Sequence, residues 1–121
     1  QFLERRDNLR KKFVSIKSNK NFKRAYSKGS SFAGFLVVLY LYPNELKENR
    51  VGYSVTKNLG KAVVRNRIKR LFREAYRKHL NYLENGYDII FVARRSVLKA
   101  NIRDICVCFK DLFEKSGIYK C

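Results

Sequence analysis

Lys61-Ala-Val-Val-Arg-Asn-Arg-Ile-Lys-Arg-Leu-Phe-Arg-Glu-Ala-Tyr-Arg-Lys78 reads as one long helix with two faces. At about 100° per residue, Val64, Ile68, Leu71, Phe72, Ala75 and His79 share an arc of about 100°, wide enough to dock on a sheet. Outside that arc, Arg65, Lys69 and Arg73 form an i, i+4, i+8 row, and Asn66, Arg70 and Arg77 form a second. Arg67 and Lys78 lie further round with Glu74, the segment's one acid. Like charges four apart cost a helix a few tenths of a kcal/mol per pair. A helix selected for stability alone would alternate its signs, so an external polyanion is expected to offset the repulsion. Arginine's planar fork suits phosphate oxygens and guanine edges, and Asn66 can pair with a base or a sugar hydroxyl.

The segments on either side supply the sheet. Phe35-Leu-Val-Val-Leu-Tyr-Leu-Tyr42 is a continuous β-rich run, expected to be covered on both faces. Pro43 to Asn49 is a polar turn, which makes Arg50-Val-Gly-Tyr-Ser-Val55 the expected hairpin partner of that strand. Thr56 to Gly60 is a loop into the long helix, and Tyr87-Asp-Ile-Ile-Phe-Val-Ala93 is a third strand opened by Gly86. Ile102, Ile105, Cys106, Phe109, Leu112 and Phe113 mark a final amphipathic helix. Before the sheet, Ser18 or Asn19 is placed to cap a short helix over residues 20–28, ended by Gly29. On it Phe22 and Tyr26 share one face, flanked by Lys23, Arg24 and Lys28. Residues 1–17 read as basic and mostly extended, with Phe13, Val14 and Ile16 able to pack on a neighbour. The order helix, hairpin, helix, strand, helix predicts a single α+β domain spanning residues 1–121. Its strand–helix–strand stretch from Arg50 to Ala93 is a crossover whose default hand is right.

The whole chain carries 28 Lys and Arg against 10 Asp and Glu, a net +18 over 121 residues. Residues 1–30 contribute +8 and residues 61–78 contribute +7, so two patches hold most of the charge. Such a chain is self-repulsive without a polyanion, which makes a nucleic acid the leading partner. The longest apolar run, Phe32 to Tyr42, is about half the ~20 residues needed to cross a bilayer. The charged start, Glu4 to Asp7, has no apolar stretch after it, unlike a secretory signal. Cys106 and Cys108 diverge on a helix, Cys121 is terminal and there is one histidine, so no zinc spacing exists. Three free thiols and a cytoplasmic location are expected.

Residues 62–74, Ala-Val-Val-Arg-Asn-Arg-Ile-Lys-Arg-Leu-Phe-Arg-Glu, closely resemble the Arg-Asn-Arg signature helix of the bacterial ribonuclease P protein subunit. Asn21-Phe-Lys-Arg-Ala-Tyr-Ser-Lys-Gly29, the run from Phe35 to Tyr42, and Val51-Gly-Tyr-Ser-Val-Thr-Lys57 with Gly60 resemble the family's other landmarks in order. The resemblance covers roughly residues 9–120 and leaves residues 1–8 as a poorly ordered or non-family extension. It implies a small two-layer α/β sandwich, ribosomal protein S5 domain 2-like, with a left-handed βαβ crossover in place of the right-handed default. It further implies a protein that binds a catalytic RNA and precursor tRNA, in an enzyme that hydrolyses one phosphodiester to remove the 5′ leader. Mg²⁺ is then held mainly by the RNA, and the free protein is a monomer away from membranes. Carried across, the resemblance assigns Arg65, Asn66, Arg67, Lys69, Arg70 and Arg73 to the RNA-facing helix. Phe22, Tyr26, Tyr40 and Lys57 fall to a cleft for the leader.

Single-stranded bases stack on aromatic faces at about 1–3 kcal/mol each and tolerate varied sequence, as a leader site requires. On bare sequence Phe22 and Tyr40 read more readily as core residues than as stacking platforms, and it is the resemblance that puts the second role level with the first; His79 reads as a core histidine. The ten acids form no two-metal cluster near the basic helix and the lone histidine is a poor acid–base catalyst, so no catalytic side chain is assigned. Two other classes share the charge and size. A ribosomal-type RNA-binding module would not need the aromatic cleft, and a DNA-binding domain would need a dimerisation element that is not visible.

Overall fold

The computed structural model describes residues 14–120; Phe13, residues 1–8 and Cys121 lie outside that range. Five strands form one mixed sheet: β1 (Val14–Ser15), β2 (Ser30–Ala33), β3 (Val37–Pro43), β4 (Arg50–Ser54) and β5 (Tyr87–Ala93). Three helices join them: α1 (Asn19–Lys28), α2 (Ala62–His79) and α3 (Ile102–Ser116). Ser18 caps α1 by accepting from the Lys20 N–H. At α3 the Asn101 side chain and Asp104 satisfy each other's backbone N–H groups in a capping box.

The expected hairpin of β3 with β4 does not form. The strand order is β1-β4-β5-β3-β2, with β5 between them. β5 pairs antiparallel with β3 and parallel with β4, so α2 is the crossover connection between two adjacent central strands. The reason is burial. β5 has an uninterrupted buried stretch from Asp88 to Phe91, which an edge position would leave with open hydrogen-bonding groups. A polar anchor fixes the pairing. Arg50 of β4 donates from Nε and Nη2 to the two oxygens of the fully buried Asp88 of β5, at 2.7 and 2.8 Å. Asn44 Nδ2 adds a third bond to Asp88 at 3.0 Å.

Strand alternation separates two cores. Val37, Leu39 and Leu41 of β3 and Ile89 and Phe91 of β5 face α2 and α3. Phe72 of α2, Phe91 of β5 and Phe109 of α3 form an aromatic column in which the last two rings stack at 4.1 Å. On the other face, Ile16, Ala25 and Ile90 are buried with Phe22, Tyr40, Tyr42 and Val92 packed against them. α1 therefore covers one face and α2 with α3 the other. β2, unrecognised in the sequence, is a four-residue edge strand paired with β3.

Candidate nucleic-acid interface

β1 pairs only with Arg50 and Val51 of β4, and one further bond runs from the Ile16 N–H to the Val51 carbonyl. Beyond that point β4 has no strand on its outer side among the described residues. A hollow of about 410 Å³ opens at this free edge, between the two helical layers. Asn19, Phe22, Lys23 and Tyr26 of α1 form one wall, Tyr53, Ser54 and Val55 the floor, and Lys69 of α2 the facing wall.

The Phe22 ring is seated on Gly52. A Cβ at that glycine would lie 2.6 Å from Phe22 Cζ, so the absent side chain makes room for the ring. Phe22 thus serves as core and as wall, which reconciles the two roles its sequence allows. Tyr26 is 39% exposed, with its ring centroid 6.2 Å from Phe22 and 5.0 Å from Tyr40, edge-on to the latter. Tyr40 stands behind Tyr26 on β3, half-buried, and does not line the hollow. Lys57 is exposed on the turn before α2, also outside the lining.

Because Lys69 faces the hollow, the row it shares with Arg65 and Arg73 runs along the rim. Arg73 is exposed and Arg65 and Lys69 are half-buried, so none of the three is turned into the interior. Arg65 spends its Nε–H on the Gly60 carbonyl at 3.2 Å, bracing the loop that starts its own helix. Asn66, Arg67 and Arg70 are exposed beyond that row. Ile68, Phe72, Ala75 and His79 are buried as expected, and Tyr76, outside the expected arc, is buried with them. Burial pushes the Tyr76 phenol well up and also that of Tyr53, whose oxygen is buried without a hydrogen-bond partner. The His79 ring packs against Phe113 and Tyr119, and burial lowers its pKa.

The sequence reading missed Tyr53, Ser54 and Val55 as lining residues, and Lys23 as more than a flank. Their signal is the open end of β4, which only the strand order reveals. Among the described residues that line the hollow there is no carboxylate, and Asp88 is paired with Arg50. Among the described residues no three His, Cys, Asp or Glu side chains gather as a metal site, and Cys106 and Cys108 are free.

Comparison with known proteins fits this geometry. The family model described as ribonuclease P matches residues 10–117. The chain belongs to the ribonuclease P protein family. It is 46% identical over 107 residues to the ribonuclease P protein component of Clostridium kluyveri, covering 87% of this chain and 96% of the relative. That of Caldanaerobacter subterraneus is 41% identical over 112 residues, covering 93% and 97%. The structure of the Staphylococcus aureus RNase P protein superimposes with a TM-score of 0.81 at 34% identity, covering 90% and 100%. As a ribonuclease P protein component, the chain is a subunit of the ribonucleoprotein that matures the tRNA 5′ end, with an RNA subunit as its partner. Among the described residues no helix is long and apolar enough to cross a membrane.

Proposed function

We propose that this ribonuclease P protein holds the 5′ leader of precursor tRNA in the α1–β4–α2 hollow while the exposed side of α2 docks on the RNA subunit, which performs the cleavage. The observation that carries this reading is the meeting of the Phe22 and Tyr26 rings with Lys69 across the free edge of β4. Tyr26 offers a stacking face to a base, with Tyr40 edge-on behind it to fix the ring. Lys23 and Lys69 supply cations on opposite walls for the leader's phosphates, and Ser54 supplies a hydroxyl. None of these contacts depends on base identity, which suits a leader of varied sequence.

On the rim and beyond it, Arg73 with Asn66, Arg67 and Arg70 presents four donor-rich side chains to solvent for the phosphates and base edges of the RNA. In this reading the protein orients the substrate and the RNA, with its Mg²⁺, does the hydrolysis; the described lining of the hollow offers cations, rings and a hydroxyl, which suit binding. In this reading the free chain is a cytoplasmic monomer.

The test is cleavage of precursor tRNA by the cognate RNA at low Mg²⁺, with and without the protein. The protein restores cleavage and alone cleaves nothing; robust cleavage by the purified protein without RNA rejects the assignment of catalysis. In the same preparation the holoenzyme binds precursor tRNA more tightly than mature tRNA, and Tyr26→Ala narrows the difference. Equal affinities in the unaltered holoenzyme remove the leader role.

A further inference from the structure

A second surface lies at the opposite edge of the sheet. The turn from β2 to β3 carries Phe35 with 80% of its surface in water, and across a groove of about 770 Å³ Val107 of α3 is 64% exposed. β2 lies three strand positions from β4, about 14 Å at ~4.8 Å per strand, so this groove is separate from the hollow.

The exposure of Phe35 is not that of a loose loop. The Gly34 N–H donates to the Val37 carbonyl at 2.8 Å, and the Leu36 carbonyl accepts from the Arg94 N–H at 2.9 Å. Arg94 Nη1 donates to the Gly34 carbonyl at 2.9 Å, and Ser96 Oγ donates to the Phe35 carbonyl at 2.6 Å. Behind the turn, a Cβ on Gly34 would come within 2.8 Å of Leu112 and 3.0 Å of Cys108, so the backbone is pressed against α3. A pinned backbone holds an aromatic ring outward, with the ordering entropy already spent in folding.

The charges beside the ring decide between occupants. Lys99 and Arg103 line the groove with no ion-pair partner among the described residues. Its two carboxylates are engaged: Asp104 accepts from the Asn101 N–H in the α3 cap, and Asp111 lies 3.9 Å from Lys115 Nζ. Those bonds leave both carboxylates charged, but Phe35 is also flanked by Arg94 and Arg95, so four cations stand against two carboxylates around the apolar face. An apolar peptide or a second copy of this +18 chain would bring no counter-charge for that surplus. A nucleotide supplies both a flat π-face and a phosphate.

We propose that this groove receives an unpaired nucleotide of the ribonuclease P RNA subunit, its base stacked on Phe35 and its phosphates beside Lys99 and Arg103. The proposal rests on the RNA partner that family membership brings, and not on the leader reading of the hollow.

The test measures affinity of the cognate RNA subunit for the protein and for its Phe35→Ala, Phe35→Tyr and Arg103→Ala variants, with thermal midpoints as a folding control. An exposed ring contributes little to the fold, so the midpoints stay together. Phe35→Ala weakens RNA-subunit binding by about tenfold, within the range of one lost stack, while Phe35→Tyr stays close to the unaltered protein. Arg103→Ala lowers the slope of log affinity against log salt by about 0.7 to 0.9. Chemical probing of the RNA subunit in the assembled holoenzyme shows a protected nucleotide that Phe35→Ala exposes. Unchanged RNA-subunit affinity in Phe35→Ala overturns the proposal. So does a loss confined to precursor over mature tRNA, which would make the leader the occupant, or a protein dimer that Phe35→Ala abolishes while RNA affinity holds.

Discussion

Gly52→Ala isolates the contact on which one wall of the hollow stands. The substitution adds one methyl group on β4, and the Gly52 φ lies outside the left-handed region, so the backbone accepts alanine without strain. The whole effect passes through Phe22. The new Cβ would lie 2.6 Å from Phe22 Cζ and 2.8 Å from Cε1, about 0.8 Å inside the 3.4 Å at which ordinary contact begins. Ile16 Cδ1, at 3.4 Å, closes the alternative direction, so the ring shifts toward the hollow or α1 lifts from the sheet. Overpacking of this kind costs about 1–3 kcal/mol. Urea unfolding of the free protein reads that loss. The ratio of precursor to mature tRNA affinity in the holoenzyme falls with it, because the displaced ring narrows the space between α1 and Lys69. RNA-subunit affinity stays unchanged, since α2 is held from the other face of the sheet. Pairing the substitution with Phe22→Leu recovers part of the stability, a non-additivity expected only of residues in contact. Gly52→Ala with unchanged stability and unchanged tRNA discrimination would refute both the seating of Phe22 and its place in the leader site.

Three other outcomes follow from the same geometry. Arg73→Ala, at an exposed position on the rim, flattens the salt dependence of RNA-subunit binding by about 0.7 to 0.9 in log–log slope for its lost phosphate, measured by filter binding from low to moderate salt. Asp88→Asn leaves the Arg50 guanidinium partly buried without its counter-charge and lowers unfolding free energy by about 3–5 kcal/mol in urea titration. His79, whose folded pKa burial lowers from 6.5, binds a proton more readily when unfolded. Its contribution to stability is therefore complete above about pH 6.5 and is lost as pH falls toward the lowered folded value. His79→Phe flattens the urea midpoint between pH 7.5 and 5, where the unaltered protein declines.

The helices and the two long strands were legible because each carries its own periodicity or cap. Residues 62–79 show a docking arc and a cationic remainder, and residues 102–113 repeat the arc with basic and acidic residues in balance. Ser18 and Gly29 bracket α1 as capping chemistry dictates. Pairing between strands was not legible. A polar turn between two apolar runs reads as a hairpin, yet the decisive partner of Arg50 is Asp88, thirty-eight residues away and indistinguishable by sequence from a surface acid. β2 escaped because Ser30 and Ser31 are exposed and Phe32 and Ala33 have no clear alternation at an edge. Half of the hollow was likewise hidden. Phe22, Tyr26 and Lys69 declare themselves by residue type and by resemblance, whereas Tyr53, Ser54 and Val55 enter only because β1 stops short of them. Tyr40 and Lys57 have the right chemistry and a neighbouring place, but no share in the lining.

That α2 joins two parallel, adjacent strands has a consequence for synthesis on the ribosome. A nascent chain that has emerged only through α2 owns every arginine of the rim but no surface to hold them, because the helix rests on a sheet whose central strand is still inside the exit tunnel. The cationic row acquires a fixed shape only once residue 93 is free to slot between β4 and β3. A product truncated before β5 therefore has charge in abundance but no geometry with which to compete for the subunit.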